Sequence, residues 1–333
     1  MTETFRAIVA DEIDGKRAGR LVELPIGSLP DEKILVDVAY STVNYKDGLA
    51  VSAHSPIPIA QTLPMVCGID LAGTVNQSDD PAFKPGDRVL VNGYGLSERH
   101  WGGYAQKARL KPEWLVRVPD NLSLEQAMAI GTAGYTAMLC VLAIEDHGVK
   151  PGDGPILVTG ASGGVGSVAV MLLSALGHEV VASSGRAEES GPFLKGLGAS
   201  RIIGREELAR DAAPLEAEIW AGVVDCVGAQ VLATALAQTR YDGIVAMTGL
   251  AGGVGLSTTV MPFILRSVTL KGIDSVLAPS ARRQRAWDRL SELVDKDKLS
   301  AIYAVEPLEN VPSLADKILS GQVRGRIVID VNA

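Results

Sequence analysis

The chain has 333 residues, enough for two domains of ordinary size, and a formal net charge of −8 at pH 7. That balance, with no basic arm or Lys/Arg run, argues against nonspecific nucleic-acid binding, yet a few local arginines would still serve an anionic substrate. Hydrophobic content of 47 % and 36 glycines describe a globular α/β protein and exclude a disordered or fibrous one.

In chain order, residues 1–30 predict two strands, Phe5 to Ala10 and a second ending near Pro25, about a turn at Asp14-Gly15-Lys16. Residues 33–40 alternate as a strand, and Ser41 to Gly48, which holds Asn44-Tyr45-Lys46-Asp47, begins a short helix or turn. Met65 to Val75 and Pro85 to Val91 each read as a turn and a strand, and Trp101 to Gln106 closes this glycine-punctuated, strand-rich section. At Ser123-Leu-Glu-Gln126 the character changes, because Ser with Gln three residues on is a capping box that opens a helix. Residues 127–144 are uncharged and long enough for a membrane span, but Gly131, Thr132, Gly134, Tyr135 and Thr136 interrupt them. Acidic residues flank both ends, with no positive side to orient a span, so a buried helix and no membrane partner are expected. Strand candidates follow at 156–159, 179–183, 201–203, 222–226, 243–247 and 268–273 with helical segments between them: a doubly wound sheet of six parallel strands. Residues 286–298 read as a helix, and Gly325 to Asp330 as a last strand returning to the first domain. The expected division is 1–122 with 300–333, and 123–299.

The stretch Gly154 to Leu173 carries the strongest chemical signal. A buried strand, Ile156 to Thr159, runs into a turn with Gly160, Gly163, Gly164 and Gly166 and then an apolar helix from near Gly164. Small residues there let a pyrophosphate approach the backbone, and the helix N-terminus faces it with bare amides and the positive end of its dipole. The spacing Ala161-x-Gly163-x-x-Gly166 departs from the usual fingerprint by Ala for the first Gly. At the end of the next strand an NAD site would carry Asp or Glu for the ribose hydroxyls; this chain has Ser183-Ser184-Gly185-Arg186. Hydroxyls, a glycine and a guanidinium suit the 2′-phosphate of NADP(H). The competing reading makes Arg186 a solvated charge and Glu188 or Glu189 the ribose ligand. The three cysteines, Cys67, Cys140 and Cys226, lie in apolar runs without metal-like spacing; with no signal-peptide pattern, a reducing cytoplasm is expected.

The order Asn44-Tyr-Lys-Asp47, Gly68-Ile-Asp-Leu-Ala-Gly73, Pro85-Gly-Asp-Arg-Val89, Gly102-Gly-Tyr-Ala105, Gly131-Thr-Ala-Gly-Tyr-Thr136 and then the dinucleotide half resembles a medium-chain dehydrogenase/reductase over essentially the whole chain. His100-Trp-Gly-Gly103, Thr159 to Gly166, Ser184-Gly-Arg186, Gly249-Leu-Ala-Gly252 and Thr259 to Arg266 resemble the acryloyl-CoA reductase (NADPH) branch of its quinone oxidoreductase-like group. The resemblance implies a GroES-like catalytic domain joined to a Rossmann domain, a cytoplasmic homodimer associating through Ser267 to Ser275, and NADPH as cofactor. It implies reduction of the C=C bond of acryloyl-CoA to propionyl-CoA; a quinone or enone reductase and a non-catalytic NADPH-binding protein are the alternatives. By position it implies cofactor contacts at Tyr45, Ser162, Gly163, Gly164, Val165, Ser184, Gly185, Arg186, Arg205, Leu250, Ile264 and Ser275. Tyr45, Asn44 and Asp47 are the catalytic candidates, and Arg324 the candidate for the CoA phosphates. Zinc-using relatives carry Cys and His-Glu ligands where this chain has Ser41-Thr42 and Gly68-Ile69-Asp70, so no metal is expected.

Overall fold

The computed structural model describes residues 3–13, 15–57 and 59–333; the expected turn residue Asp14 lies outside them. The strand-rich section contains β1 (Thr4–Ile13), β2 (Lys16–Pro25), β3 (Ile34–Thr42), α1 (Tyr45–Val51), β4 (Met65–Val66), β5 (Asp70–Ser78), β6 (Arg88–Asn92), β7 (Lys107–Leu110) and β8 (Val116–Arg117). Strands β2-β1-β4 make a small antiparallel sheet.

The capping box forms as the spacing predicts. The Ser123 N–H donates to Gln126 Oε1 (3.0 Å) and the Gln126 N–H to Ser123 Oγ (3.0 Å), opening α2 (Leu124–His147). This helix is long and apolar enough to cross a membrane, but 94 % of its most apolar window is buried inside the protein. It breaks at Gly131, whose φ of 51° and ψ of −161° are non-helical.

Then come β9 (Ile156–Val158), α3 (Gly164–Ala175), β10 (Val180–Ser184), α4 (Ala187–Leu197), β11 (Arg201–Gly204), β12 (Trp220–Asp225), α5 (Ala229–Ala237), β13 (Thr239–Met247), α6 (Met261–Arg266) and β14 (Thr269–Gly272). The strands form one parallel sheet in the order β11-β10-β9-β12-β13-β14, the doubly wound arrangement. Its near-continuous apolar runs are what a sheet covered on both faces requires. One row of facing residues, Val181, Leu157, Val223 and Val245, crosses four strands and is fully buried.

The chain ends with α7 (Ser280–Leu293), α8 (Lys296–Ser300), β15 (Tyr303–Pro307), α9 (Val311–Leu319) and β16 (Arg326–Asp330). The single helix expected over 286–298 is two, because the Asp295 side chain accepts from the N–H groups of Asp297 and Lys298 and caps a new start. Strand β16 returns to the first section, antiparallel to β3 with Val328 opposite Thr42, in a second sheet ordered β15-β16-β3-β5-β6-β8 with β7 also on β3.

Two compact units result: Met1–Thr132, Ser275–Ser291 and Tyr303–Ala333, and Ala133–Asp274 with Glu292–Ile302. Residues 275–291, expected with the dinucleotide-binding segment, fold into the first unit instead. The reason is buried: Arg283 Nη1 donates to the Asn92 carbonyl (2.8 Å) and Trp287 Nε1 to Asn92 Oδ1 (3.2 Å).

Candidate active site

In the first unit Asn44 is the N-cap of α1, and its N–H donates to Asp47 Oδ2 (2.8 Å), the third helical position reaching back to the cap. Oδ1 of Asp47 accepts from the Ile69 N–H at 2.9 Å. Asn44 Nδ2 donates both to Asp47 Oδ2 (3.0 Å) and to Asp70 Oδ2 (2.9 Å), and Asn44 Oδ1 accepts from Arg326 Nη1 (3.1 Å). One carboxamide therefore joins two carboxyl groups and a guanidinium.

Arg326 is 3 % exposed, which only a well-satisfied guanidinium tolerates. It also donates to Val43 O (3.1 Å), Thr42 Oγ1 (2.7 Å) and Ala129 O (3.2 Å). Asp70 Oδ1 accepts from Asn92 Nδ2 at 2.9 Å and from the Thr132 hydroxyl, and Asp70 Oδ2 accepts from the Thr132 N–H at 2.9 Å. That last bond exists because Gly131 turns the backbone: a Cβ there would lie 2.5 Å from Arg326 Nη2 and 3.0 Å from Asp70 Oδ2. Burial, and then the charge of Asp70, push the Asp47 carboxyl up to about 7.

Tyr45 opens α1 and is 45 % exposed, between the buried Asn44 and Asp47 of its turn. The geometry thus gives Asn44 and Asp47 the work of holding the turn that presents Tyr45. Arg324 is exposed in the loop before β16, and Ser275 belongs to the first unit, where its carbonyl accepts from Arg283 Nη2 at 3.2 Å.

In the second unit the glycine turn follows β9 at the point where the strand order reverses, and Gly163 is the N-cap of α3. The Gly164 and Val165 amides lie in the first turn, where the helix has no partners of its own for them. Gly166 is a packing glycine: a Cβ would come within 2.4 Å of the Gly160 carbonyl. The Ala161 N–H donates to Ser183 O (3.0 Å), tying the turn to the end of β10. There Ser162 Oγ and Ser184 Oγ are 3.1 Å apart, and the Arg186 N–H donates to Ser184 Oγ (3.1 Å). Above Gly185 is Arg205: a Cβ on that glycine would meet the guanidinium carbon at 2.9 Å.

Ser162, Ser184, Gly185, Arg186 and Arg205 thus converge on one patch of hydroxyls, amides and guanidinium, the donor set a phosphate monoester takes. Leu250 lies at the carboxyl end of β12, since a Cβ on Gly249 would be 2.0 Å from Cys226 O. Leu250 is 57 % and Ile264 70 % exposed. A dinucleotide fits this donor set.

Zinc does not. Ser41 Oγ donates to the Asp70 carbonyl (2.7 Å), Thr42 Oγ1 donates to Ile327 O (2.7 Å) and accepts from Arg326, and both Asp70 oxygens are taken. Among the described residues no group of three His, Cys, Asp or Glu could hold a metal.

Sequence reasoning missed Arg326, Asp70 as a hub, Thr132 and Asn92. One signal was available: Arg326 is a charge heading the otherwise apolar run Ile327-Val328-Ile329 of a strand meant for a core.

Comparison with known proteins matches residues 30–120 to the alcohol dehydrogenase GroES-like domain and residues 164–293 to the zinc-binding dehydrogenase family. Acrylyl-CoA reductase AcuI of Ruegeria pomeroyi is 51 % identical, over 99 % of this chain and 100 % of that protein. The structure of the yhdH oxidoreductase from Salmonella enterica in complex with NADP is 49 % identical, with a TM-score of 0.94 over 98 % of this chain and 99 % of that one. Bacillus subtilis yhfP, solved with NAD bound, is 41 % identical with a TM-score of 0.95 over 99 % and 100 %.

Proposed function

The chain belongs to the medium-chain dehydrogenase/reductase superfamily, in its zinc-independent, quinone oxidoreductase-like group; from that premise we propose that it is an NADPH-dependent oxidoreductase that saturates the C=C bond of acryloyl-CoA. The observation that carries the cofactor choice is Arg205 laid over Gly185 beside Ser184 and Arg186, with no carboxylate at the end of β10. The 51 % identical acrylyl-CoA reductase supports the substrate class.

When bound, NADPH supplies a hydride to the β-carbon of the acyl group. The double-bond electrons shift toward the thioester oxygen, and the α-carbon then takes a proton. Ser162, Gly163, Gly164 and Val165 hold the pyrophosphate, while Ser184, Gly185, Arg186 and Arg205 hold the 2′-phosphate. Leu250 and Ile264 would contact the remainder. In the first unit Tyr45, on a turn stiffened by Asn44, Asp47 and Arg326, is the candidate proton donor through its hydroxyl. A buried Asp47 is too far inside its own shell of donors to deliver that proton itself.

Arg324 meets the CoA phosphates. A second copy of the chain pairs at the outer edge of β14; a monomeric sedimentation coefficient would remove that partner.

Steady-state oxidation of NADPH and NADH with acryloyl-CoA and with 1,4-benzoquinone tests the reading. Preferred turnover of the thioester with NADPH, and a raised KM for the thioester alone in Arg324→Ala, are expected. Faster turnover of the quinone would make the enzyme a quinone reductase. NADPH binding without turnover of either acceptor would make it a binding protein.

A further inference from the structure

The stretch that carries Arg205 is held far more firmly than a surface loop needs to be. Arg205 starts a single 3-10 turn, Arg205–Glu207, at the end of β11, and its carbonyl accepts from the N–H groups of Leu208 (3.0 Å) and Ala209 (2.8 Å). Leu208 is 1 % exposed and anchors the turn to the core. Five residues on from Arg205, Arg210 turns back. Its Nε donates to the Glu207 carbonyl (3.2 Å), and Nη1 and Nη2 fork onto Glu216 Oε1 (2.6 Å) and Oε2 (2.5 Å).

Glu216 is fixed in turn. Its Oε2 accepts from Gln238 Nε2 (2.9 Å), and Gln238 Oε1 accepts from the buried Trp220 Nε1 (2.9 Å) at the start of β12. Its Oε1 accepts from the Ala213 N–H as well, at 3.2 Å. An unbroken series of hydrogen bonds therefore runs from Trp220 in the sheet, through Gln238, Glu216 and Arg210, to the turn that bears Arg205. Two-point forks add geometric definition that a single ion pair lacks.

We propose that the Arg210–Glu216 fork is a positioning pair that sets cofactor choice, holding the Arg205 turn so that its guanidinium lies over Gly185 where a 2′-phosphate binds. The proposal rests on the assignment of Arg205 to that phosphate. Neither Arg210 nor Glu216 need touch the cofactor; they act through Arg205. An ion pair this exposed contributes little to global stability, Arg210 being 42 % and Glu216 15 % exposed in their side chains, so its measurable effect is local.

The test compares dissociation constants of NADPH, NADH, 2′,5′-ADP and 5′-AMP for the intact enzyme, Glu216→Gln and Arg205→Ala. Glu216→Gln is expected to weaken NADPH and 2′,5′-ADP by about five- to tenfold, to leave NADH and 5′-AMP unchanged, and to leave kcat at saturating NADPH unchanged. Arg210→Lys, which keeps the charge but not the fork, should shift the same ratio in the same direction. Equal weakening of phosphorylated and unphosphorylated ligands in Glu216→Gln would show a merely structural tie and overturn the proposal. So would an unchanged ratio in Glu216→Gln alongside a lowered one in Arg205→Ala. An unchanged ratio in Arg205→Ala would refute the phosphate assignment itself, and the positioning role with it.

Discussion

Asn44 has three ionisable neighbours at hydrogen-bonding distance and is buried among them. Arg326 is the single cation among them, so its removal strands two buried carboxyl groups. Arg326→Ala should lower unfolding free energy by about 3–5 kcal/mol, with Arg326→Lys recovering only part because an ammonium cannot reach the four acceptors together; urea unfolding followed by circular dichroism checks both. Asp47 adds a pH dependence. Its folded pKa, about 7, is above its ordinary value of 3.8, so the folded protein holds this proton more tightly than the unfolded chain. Its favourable contribution is complete below pH 4, declines as pH rises through 7, and then levels, with a slope of at most about 1.4 kcal/mol per pH unit. Urea midpoints between pH 4.5 and 8 should fall in the wild type and lose most of that slope in Asp47→Asn. Glu216 has the opposite sign and another window. The Arg210 fork holds its carboxyl down at about 2, so its contribution is present above pH 4.5 and fades only as pH falls toward 2.

Helix α2 shows what can be read along the chain and what cannot. Its start is written locally, in Ser123 and Gln126 three residues apart, and so are the six strands of the parallel sheet, whose apolar runs are bounded by Gly and polar residues. Its break is not. Gly131 looks like one more small residue in an apolar run, and its backbone is dictated by Asp70 and Arg326, which come from β5 and β16. The same separation hid Arg326 behind Arg324, two residues away and exposed. Gly131→Ala places a Cβ in strained backbone and against three side chains, so a loss of about 2–4 kcal/mol is expected by thermal unfolding. Gly191→Ala, with open space around its Cβ and a helical setting, should cost nothing comparable and serves as its control.

At the scale of the molecule the first unit is assembled from three separate lengths of chain. Trp287 and Arg283 arrive from the second length to satisfy Asn92, and Arg326 arrives from the third to satisfy Asn44. A fragment of residues 1–132 should therefore show no cooperative urea transition, while adding back the rest of the chain restores one; a sharp transition in the fragment would show that these buried contacts are dispensable. The separation between Asn44 and Arg326 is 282 residues. At roughly 5–20 residues per second, a ribosome spends on the order of 15–55 s between making the two. For that interval the nascent turn has its carboxylates in water and no guanidinium to gather them. The second unit, where the nucleotide is proposed to bind, is meanwhile translated in full, so in each newly made molecule cofactor capture can precede completion of the Asn44 turn.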